Sequence, residues 1–242
     1  LILEEGLPMK TLWKVVRSMA AAASDTGVQI VTGDTKVVER GKGDGIYINT
    51  SGVGVIPQGV EVSSARVEEG DSVVLSGDIG RHGMAIMAVR EGIGLENTLK
   101  SDLAPLNGQV EDLIAEGLDV HCMRDLTRGG LASALNEIAS MTDYTVRIAE
   151  DSIPVREEVT GACEILGFDP LYVANEGKFA LFLPSPQADR AVEILREHQV
   201  CRDAAVIGSV EEASGADVVM TSAIGSERIV DMISGEQLPR IC

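Results

Sequence analysis

Short apolar runs that predict strands alternate along this chain with longer segments of helical period. Residues 8–26 place apolar side chains at i, i+3 and i+4 and predict a helix, with Pro8 suited to its first turn and Gly27 to its end. The runs "IYINTSGVGVIP", "SVVLS" and "KFALFLP" predict strands. Hairpin-like pairs of short strands near the end favour a mixed sheet over a strictly parallel one. The order of elements therefore predicts an α+β fold.

Composition limits the kind of core and the kind of partner. Hydrophobic residues make up 45% of the 242 residues and aromatic ones only 3%, so the core must be built from Val, Ile, Leu, Ala and Met. The formal net charge of −18 argues against nucleic-acid and anionic-membrane surfaces, because phosphates would be repelled. It does not exclude ATP, whose charge Mg²⁺ and backbone N–H groups neutralise. No apolar run reaches the ~18 residues of a membrane span, and no signal-peptide pattern is visible.

The four cysteines lie far apart and form no CxxC pair. This spacing disfavours a zinc site and a disulfide framework, and we predict a cytoplasmic protein with reduced thiols. The last stretch, "ISGEQLPRIC", shows neither helical nor alternating period and predicts a flexible tail. Ten extended residues reach ~33 Å, so Cys242 can visit a site far from the root of the tail.

One candidate site follows the apolar run "VQIVTG", which predicts a buried strand. Asp34 comes just after this run, and carboxylates at strand ends commonly hold Mg²⁺. Lys36, two residues on, can add positive charge for a phosphate. The alternative interpretation is a turn aspartate that hydrogen-bonds its own backbone.

A second candidate is "RDLTRGG", which precedes an apolar helical segment. Asp125 and Thr127 supply a carboxylate and a hydroxyl, Arg128 adds charge, and Gly129 and Gly130 let the backbone approach an anion near a helix N-terminus. Alternatively, Asp125 or Thr127 is an ordinary helix N-cap.

Two further polar segments flank predicted elements. "GDIGRHG" contains His82, a candidate general base or phosphate contact, although a cap or a partly exposed loop residue is the simpler interpretation. "ANEGK" contains Glu176, which either lines a cleft or belongs to a solvated loop. From its local sequence alone, we expect the solvated loop.

Taken in order, "ILEEGLPM", "GDTKVV", "GRHG", "RDLTRGG", "NEGK" and the final "PRIC" resemble the HypE family of hydrogenase maturation proteins. This resemblance covers essentially the whole chain. It implies the two-domain aminoimidazole ribonucleotide synthetase-like fold of the superfamily, which usually dimerises and binds ATP between N-terminal domains.

The resemblance also implies a reaction. In this family HypF places a carbamoyl group on the terminal cysteine, and ATP-dependent dehydration converts the thiocarbamate to a thiocyanate. The cyano group then passes to the HypC–HypD complex for the iron centre of [NiFe]-hydrogenase. Two alternatives remain open: another ATP-using kinase or synthetase of the superfamily, and a non-enzymatic maturation scaffold.

Roles for single residues follow from the resemblance. Cys242 is implied to carry the substrate, Glu176 to accept protons from it, and Lys36 to stabilise charge or position the group. Arg240 is implied to guide the tail.

The resemblance assigns the nucleotide to two segments. Asp34, as the implied Mg²⁺ ligand, and Thr35 match ATP-binding positions. Asp125, Thr127 and Arg128 match a second-domain motif implied to border the phosphates.

Family members begin with a glycine-rich loop and aspartates that help to hold Mg²⁺–ATP, and no such segment precedes Leu1. If the chain is truncated, we expect an incomplete first domain and impaired ATP binding. If the sequence is a selected part of a longer protein, we expect the full protein to be active. The expected division is residues 1–62 as the rear part of the ATP-binding and dimerisation domain, 63–232 as the second α+β domain, and 233–242 as the tail.

Overall fold

The computed structural model describes residues 1–92, 94, 98–215 and 217–233. The chain forms two compact units, residues 1–58 and the residues from Gly59 onward. The helices of the described residues are α1 Met9–Thr26, α2 Arg81–Glu91, α3 Asn107–Ala115, α4 Gly130–Ala139, α5 Glu157–Leu166 and α6 Ala188–Glu197. The strands are β1 Ile2–Glu4, β2 Lys36–Val38, β3 Ile46–Tyr47, β4 Asp71–Leu75, β5 Cys122–Asp125, β6 Tyr144–Ala149, β7 Phe179–Pro184, β8 Ala205–Glu212, β9 Val218–Thr221 and β10 Glu227–Ile229.

The first unit combines α1 with a three-stranded sheet in the order β2-β1-β3. β1 is parallel to β2 and antiparallel to β3. The predicted helix is present, but Pro8 is its N-cap and not a residue of its first turn; Gly27, at φ 69°, ends the helix as predicted. The apolar face of α1 is only half-buried, since none of the helix residues is fully buried within this unit.

The predicted strand "VQIVTG" is wrong. Residues 28–35 form no strand, and Val28, Ile30 and Val31 are 62%, 60% and 84% exposed. An apolar run becomes a strand only where a partner satisfies its backbone, and no described strand pairs with this run. For the same reason only Ile46–Tyr47 of "IYINTSGVGVIP" is a strand.

The second unit contains a seven-stranded sheet in the order β10-β9-β6-β8-β4-β7-β5. Its neighbouring strands are antiparallel except for the parallel pair of β6 and β9. The mixed α+β sheet is therefore confirmed. β5 and β6, which carry polar residues, were not predicted.

Alternation along β7 builds a core on both faces of this sheet. Ala180 and Phe182 pack with residues of α4 on one face. Leu181 and Leu183 pack with residues of α3 and α6 on the other. A smaller apolar cluster joins α2 to α5. No helix of the described residues has the length and apolar character needed to cross a membrane.

Candidate active site

The strand order brings three glycine-containing segments to one edge of the large sheet. β7 pairs antiparallel with β4 on one side and with β5 on the other. The ends of β4 and β5 therefore flank the beginning of β7. The segment 77–83 follows β4 and runs into α2, the segment 126–130 follows β5 and runs into α4, and the segment 174–178 precedes β7.

Hydrogen bonds join these segments through the "ANEGK" stretch. Asn175 is fully buried, and its Oδ1 accepts from the Gly80 backbone N–H at 2.7 Å. The Asn175 N–H donates to the Leu126 carbonyl at 3.1 Å, and the Gly83 N–H donates to the Ala174 carbonyl at 3.0 Å. The expectation of a solvated loop at 174–178 is therefore wrong, because the long-range pairing of β4, β5 and β7 buries it.

Two glycines are required by close backbone contacts. Gly130 has φ +61°, and a Cβ there would lie 2.5 Å from the Leu171 carbonyl oxygen. A Cβ on Gly177 would lie 2.1 Å from the Asp102 carbonyl oxygen. A side chain at either position would push the segments of the site apart.

Glu176 is the carboxylate of this cluster that remains partly open to solvent, and it faces His82 on the first turn of α2. The His82 Nε2 lies 4.0 Å from the Glu176 Oε1, with side-chain exposures of 13% and 22%. His82 Nδ1 lies 2.9 Å from the Ser101 Oγ. The pair is exposed enough to meet a substrate and enclosed enough to limit water.

Asp102 hydrogen-bonds the backbone of Glu176. Its Oδ1 accepts the Glu176 backbone N–H at 3.0 Å, and its Oδ2 has no hydrogen-bond partner among the described residues. Burial raises the pKa of Asp102, against the lowering effect of the Glu176 N–H and of the nearby Lys178 charge.

An ion-pair network surrounds the buried carboxylate of Asp78. Arg81 Nε and Arg156 Nε lie 2.5 and 2.9 Å from the Asp78 Oδ2. Lys178 Nζ lies 3.9 Å from Asp78 Oδ1 and donates to the Val200 carbonyl at 2.5 Å. Burial lowers the pKa of Lys178, and the Asp78 carboxylate opposes that shift. Through Asp78, the network joins the start of α2, the residue before α5 and the residue before β7.

The "RDLTRGG" candidates lie beside the same edge. Arg124 pairs with Asp125 and, at 2.7 Å, with Glu137. Burial raises the pKa of Asp125, but hydrogen bonding with Thr127 and the Arg124 charge outweigh burial and lower it. Arg128 is exposed and has no ion pair among the described residues.

The helix-cap interpretation of this motif is wrong. The N-cap residue of α4 is Gly129, in the left-handed conformation, without a side-chain hydrogen bond. Asp125 and Thr127 hydrogen-bond with each other instead.

Asp34, Thr35 and Lys36 belong to the first unit and precede or begin β2. All three are exposed. Asp34 Oδ1 accepts the Thr35 N–H at 2.8 Å, which is the local backbone contact of the turn interpretation. This contact leaves the other carboxylate oxygen for a hard cation, so the chemistry of the residue fits Mg²⁺.

The three cysteines that the structure describes are buried and free. Burial raises the pKa of Cys122 to about 11 and that of Cys163 to about 12, and it raises that of Cys201 as well. None of them suits a thiolate reaction at neutral pH. Cys242 and Arg240 lie outside the described residues.

One other group of possible metal ligands lies away from this edge. Ligand atoms of Glu68, Asp71 and His121 lie within 4.8 Å of one another. His121 Nδ1 is 2.8 Å from the Asp71 Oδ2, which also accepts the Glu68 backbone N–H. These contacts account for the cluster as a structural link between the start of β4 and the start of β5.

The sequence indicates Glu176 as a candidate site residue but does not predict its contacts with His82 and Asp102. Ser101 and Asp102 were missed, and His82 was interpreted as a cap or loop residue. No local sequence pattern signals them, because the contacts span 74 residues between Asp102 and Glu176.

Comparison with known proteins agrees with the fold. Residues 1–56 match the N-terminal domain and residues 68–221 the C-terminal domain of the family described as AIR synthase related protein. The carbamoyl dehydratase HypE of Azotobacter vinelandii is 50% identical over 241 residues, which cover 100% of this chain and 71% of that protein.

Two solved structures are similar over most of the chain. A crystal structure of the hydrogenase maturation protein HypE in complex with ATP superposes with a TM-score of 0.95 at 46% identity, covering 100% of this chain and 73% of that one. A crystal structure of a HypE–HypF complex gives a TM-score of 0.90 at 45% identity, covering 95% of this chain and 75% of that one.

The two domain matches and the mixed sheets define an AIR synthase-related protein. Within that class, identity of 42–50% to HypE proteins over the full chain shows that the chain belongs to the HypE family of carbamoyl dehydratases, enzymes of hydrogenase maturation.

Proposed function

We propose that this protein uses ATP to dehydrate an S-carbamoyl group on Cys242 to a thiocyanate, which then donates cyanide for the iron centre of [NiFe]-hydrogenase. The observation that carries the proposal is the Glu176 carboxylate, 22% exposed and set 4.0 Å from His82 on a buried hydrogen-bonded frame. The removal of protons from nitrogen needs a partly open base of this kind.

The choice of sulfur follows from burial. Three of the four cysteines are enclosed and have raised pKa values. Cys242 is the remaining thiol, and nine residues beyond Ile233 span about 30 Å when extended. We therefore assign Cys242 as the sulfur that carries the carbamoyl group.

The reaction must convert an amide oxygen into a leaving group. Transfer of the γ-phosphoryl group to the carbamoyl oxygen forms an O–P bond, and the C–O bond then breaks with its electron pair leaving on phosphate. The two N–H electron pairs become the additional bonds between carbon and nitrogen, and the two protons go to bases. The products are thiocyanate, ADP and phosphate, without any change that needs an oxidant or a reductant.

Each candidate residue has a role in this scheme. Glu176 accepts the nitrogen protons, and Lys36 offsets the charge that develops at the carbamoyl oxygen. Asp125, Thr127 and Arg128, which has no ion pair among the described residues, border the phosphates.

ATP is the co-substrate, as in the related HypE crystallised in complex with ATP. Asp34 would hold the Mg²⁺ of the nucleotide, and Thr35 would contact it. Bound Mg²⁺ supplies neutralisation of phosphate charge. The expected domains are residues 1–62 for the nucleotide, 63–232 for the second unit and 233–242 for the tail.

HypF is the proposed carbamoyl donor, since a related HypE forms a complex with HypF. The HypC–HypD complex is the proposed acceptor of the cyano group. We also propose a homodimer through the first unit, where Val31, Val53 and Val55 are 84%, 103% and 93% exposed. The free buried thiols support a reducing, cytoplasmic setting.

Mass spectrometry of the C-terminal peptide tests the proposal. The full-length protein is incubated with HypF, carbamoyl phosphate and ATP. We expect a carbamoylated Cys242 that loses the mass of one water only when ATP is present. Glu176→Ala should stop at the carbamoyl stage, whereas the exposed control Glu164→Ala on α5 should not.

Two other results would point elsewhere. Turnover of a small molecule that survives Cys242→Ala would favour a kinase or synthetase of the superfamily. Binding of HypF without ATP consumption would favour a scaffold.

A further inference from the structure

The proposed dehydration removes more protons than Glu176 can hold at one time. Two protons leave one nitrogen in each turnover, the first as the oxygen is phosphorylated and the second as phosphate departs. A carboxylate holds one proton at a time. Glu176 must therefore release the first proton before it accepts the second.

His82 is placed to receive that proton. Its Nε2 lies 4.0 Å from the Glu176 Oε1, and both side chains are mostly enclosed. A distance of this size closes by a small side-chain movement or is bridged by one water, and such contacts commonly tighten when substrate binds. Imidazole suits the task because it exchanges protons near neutral pH.

Ser101 is placed to set which nitrogen of the His82 ring carries the proton. The Ser101 Oγ accepts the Leu103 backbone N–H at 3.0 Å and lies 2.9 Å from the His82 Nδ1. The hydroxyl oxygen has a second lone pair. When Nδ1–H donates to that lone pair, the unprotonated Nε2 faces Glu176.

Charged side chains from three segments lie near the His82 ring. Glu176, from the segment before β7, and Asp102, from the segment before α3, interact with the ring. Arg81 precedes His82 on α2 and is paired with Asp78.

We propose that His82 is a proton relay that empties Glu176 between the two deprotonations, with Ser101 as the residue that fixes its tautomer. The inference rests on the proposed function of Glu176. The Nε2 lone pair takes the proton from the Glu176 carboxyl group, which returns to carboxylate. The imidazolium then passes a proton to water, and no bond between heavy atoms changes.

Nuclear magnetic resonance of ¹⁵N-labelled histidine tests the tautomer without any reaction. In the full-length protein at neutral pH, we expect the His82 ring with the proton on Nδ1, assigned by comparison with His82→Gln. Ser101→Ala should remove this preference and give a tautomer mixture. A wild-type ring with its proton on Nε2 would overturn the relay, because that nitrogen then has no lone pair for Glu176.

Single-turnover dehydration of pre-carbamoylated protein tests the relay itself. We expect His82→Gln to slow thiocyanate formation by about 10- to 100-fold, within the range of general acid–base effects. Imidazole in solution should partly restore the rate of His82→Ala. The matched variant His198→Gln, whose ring contacts Asp112 at 2.8 Å, should keep the wild-type rate.

The pH profile separates a relay from a structural role. The fall of turnover at acid pH should differ between wild type and His82→Gln, because an imidazolium cannot accept a proton from Glu176 and glutamine does not ionise. Equal rates and equal profiles in wild type and His82→Gln would overturn the relay alone. A wild-type protein that forms no thiocyanate would overturn the proposed function and the relay with it.

Discussion

The Glu176 backbone N–H donates a 3.0 Å hydrogen bond to the Oδ1 of Asp102, a carboxylate that is 4% exposed. Its Oδ2 has no partner among the described residues. Asp102, which positions the proposed base Glu176, is therefore poorly stabilised in its ionised form, because one of its oxygens is buried without a hydrogen-bond donor.

Asp102→Asn should change the pH dependence of stability. Burial raises the pKa of Asp102 in the folded protein above the model value of 3.8, so the folded state binds the proton more tightly than the unfolded state. Stability from this group is complete below the unfolded pKa and is lost as pH rises through the folded pKa. Asparagine is neutral throughout this pH range, so the variant does not lose this stability as pH rises.

Urea unfolding at several pH values between 4.5 and 8 is the measurement. The stability of Asp102→Asn relative to wild type should increase as pH rises. The exposed control Asp143→Asn should show no such trend. A constant difference across this range would mean that the pKa of Asp102 is not raised in the folded protein.

Gly130→Ala should destabilise the second unit by about 3 kcal/mol, the scale of strain at a special backbone conformation combined with overpacking. The added Cβ would meet the Leu171 carbonyl at 2.5 Å, and φ is +61°. Gly161→Ala is the matched control, because no atom lies within 4 Å of its Cβ position on α5. That control should gain about 0.5–1 kcal/mol in thermal or urea unfolding. Equal effects at the two glycines would contradict the close contact.

In the ion-pair network around Asp78, loss of Asp78 and loss of Lys178 should lower the free energy of unfolding by different amounts. Asp78→Ala leaves the Lys178 ammonium buried without its carboxylate and should cost about 3–5 kcal/mol. Lys178→Met keeps the volume and leaves Asp78 paired with Arg81 and Arg156, so it should cost only about 1–2 kcal/mol, the scale of one lost buried hydrogen bond. Urea midpoints give both values, and the reverse order would contradict the placement of Lys178.

Thiol reagents should distinguish Cys242 from the other cysteines. The raised pKa values of Cys122, about 11, and Cys163, about 12, leave almost no thiolate in the folded protein at pH 8. We therefore expect iodoacetamide to label Cys242 first, and the three buried thiols only on addition of denaturant. Peptide mass spectrometry gives the order, and early labelling of Cys122 would contradict its burial.

The sequence anticipated the local elements where period and end signals agree. The helix that begins after Pro8 and ends at Gly27 was predicted because proline and glycine mark both ends. The strand within "KFALFLP" was predicted because Phe179–Pro184 is a continuous apolar run. The run at residues 28–33 failed because hydrophobicity cannot supply a partner strand.

The sequence by itself determined the α+β class, the glycine-containing segments and the candidacy of Glu176, since these depend on composition and on neighbours along the chain. Tertiary structure alone decided that "ANEGK" is buried, that Glu176 faces His82, and that Ser101 and Asp102 support them. The physical reason is that antiparallel pairing of β7 with β4 and β5 joins segments from distant parts of the chain. Their burial and hydrogen bonds arise only when the sheet has formed.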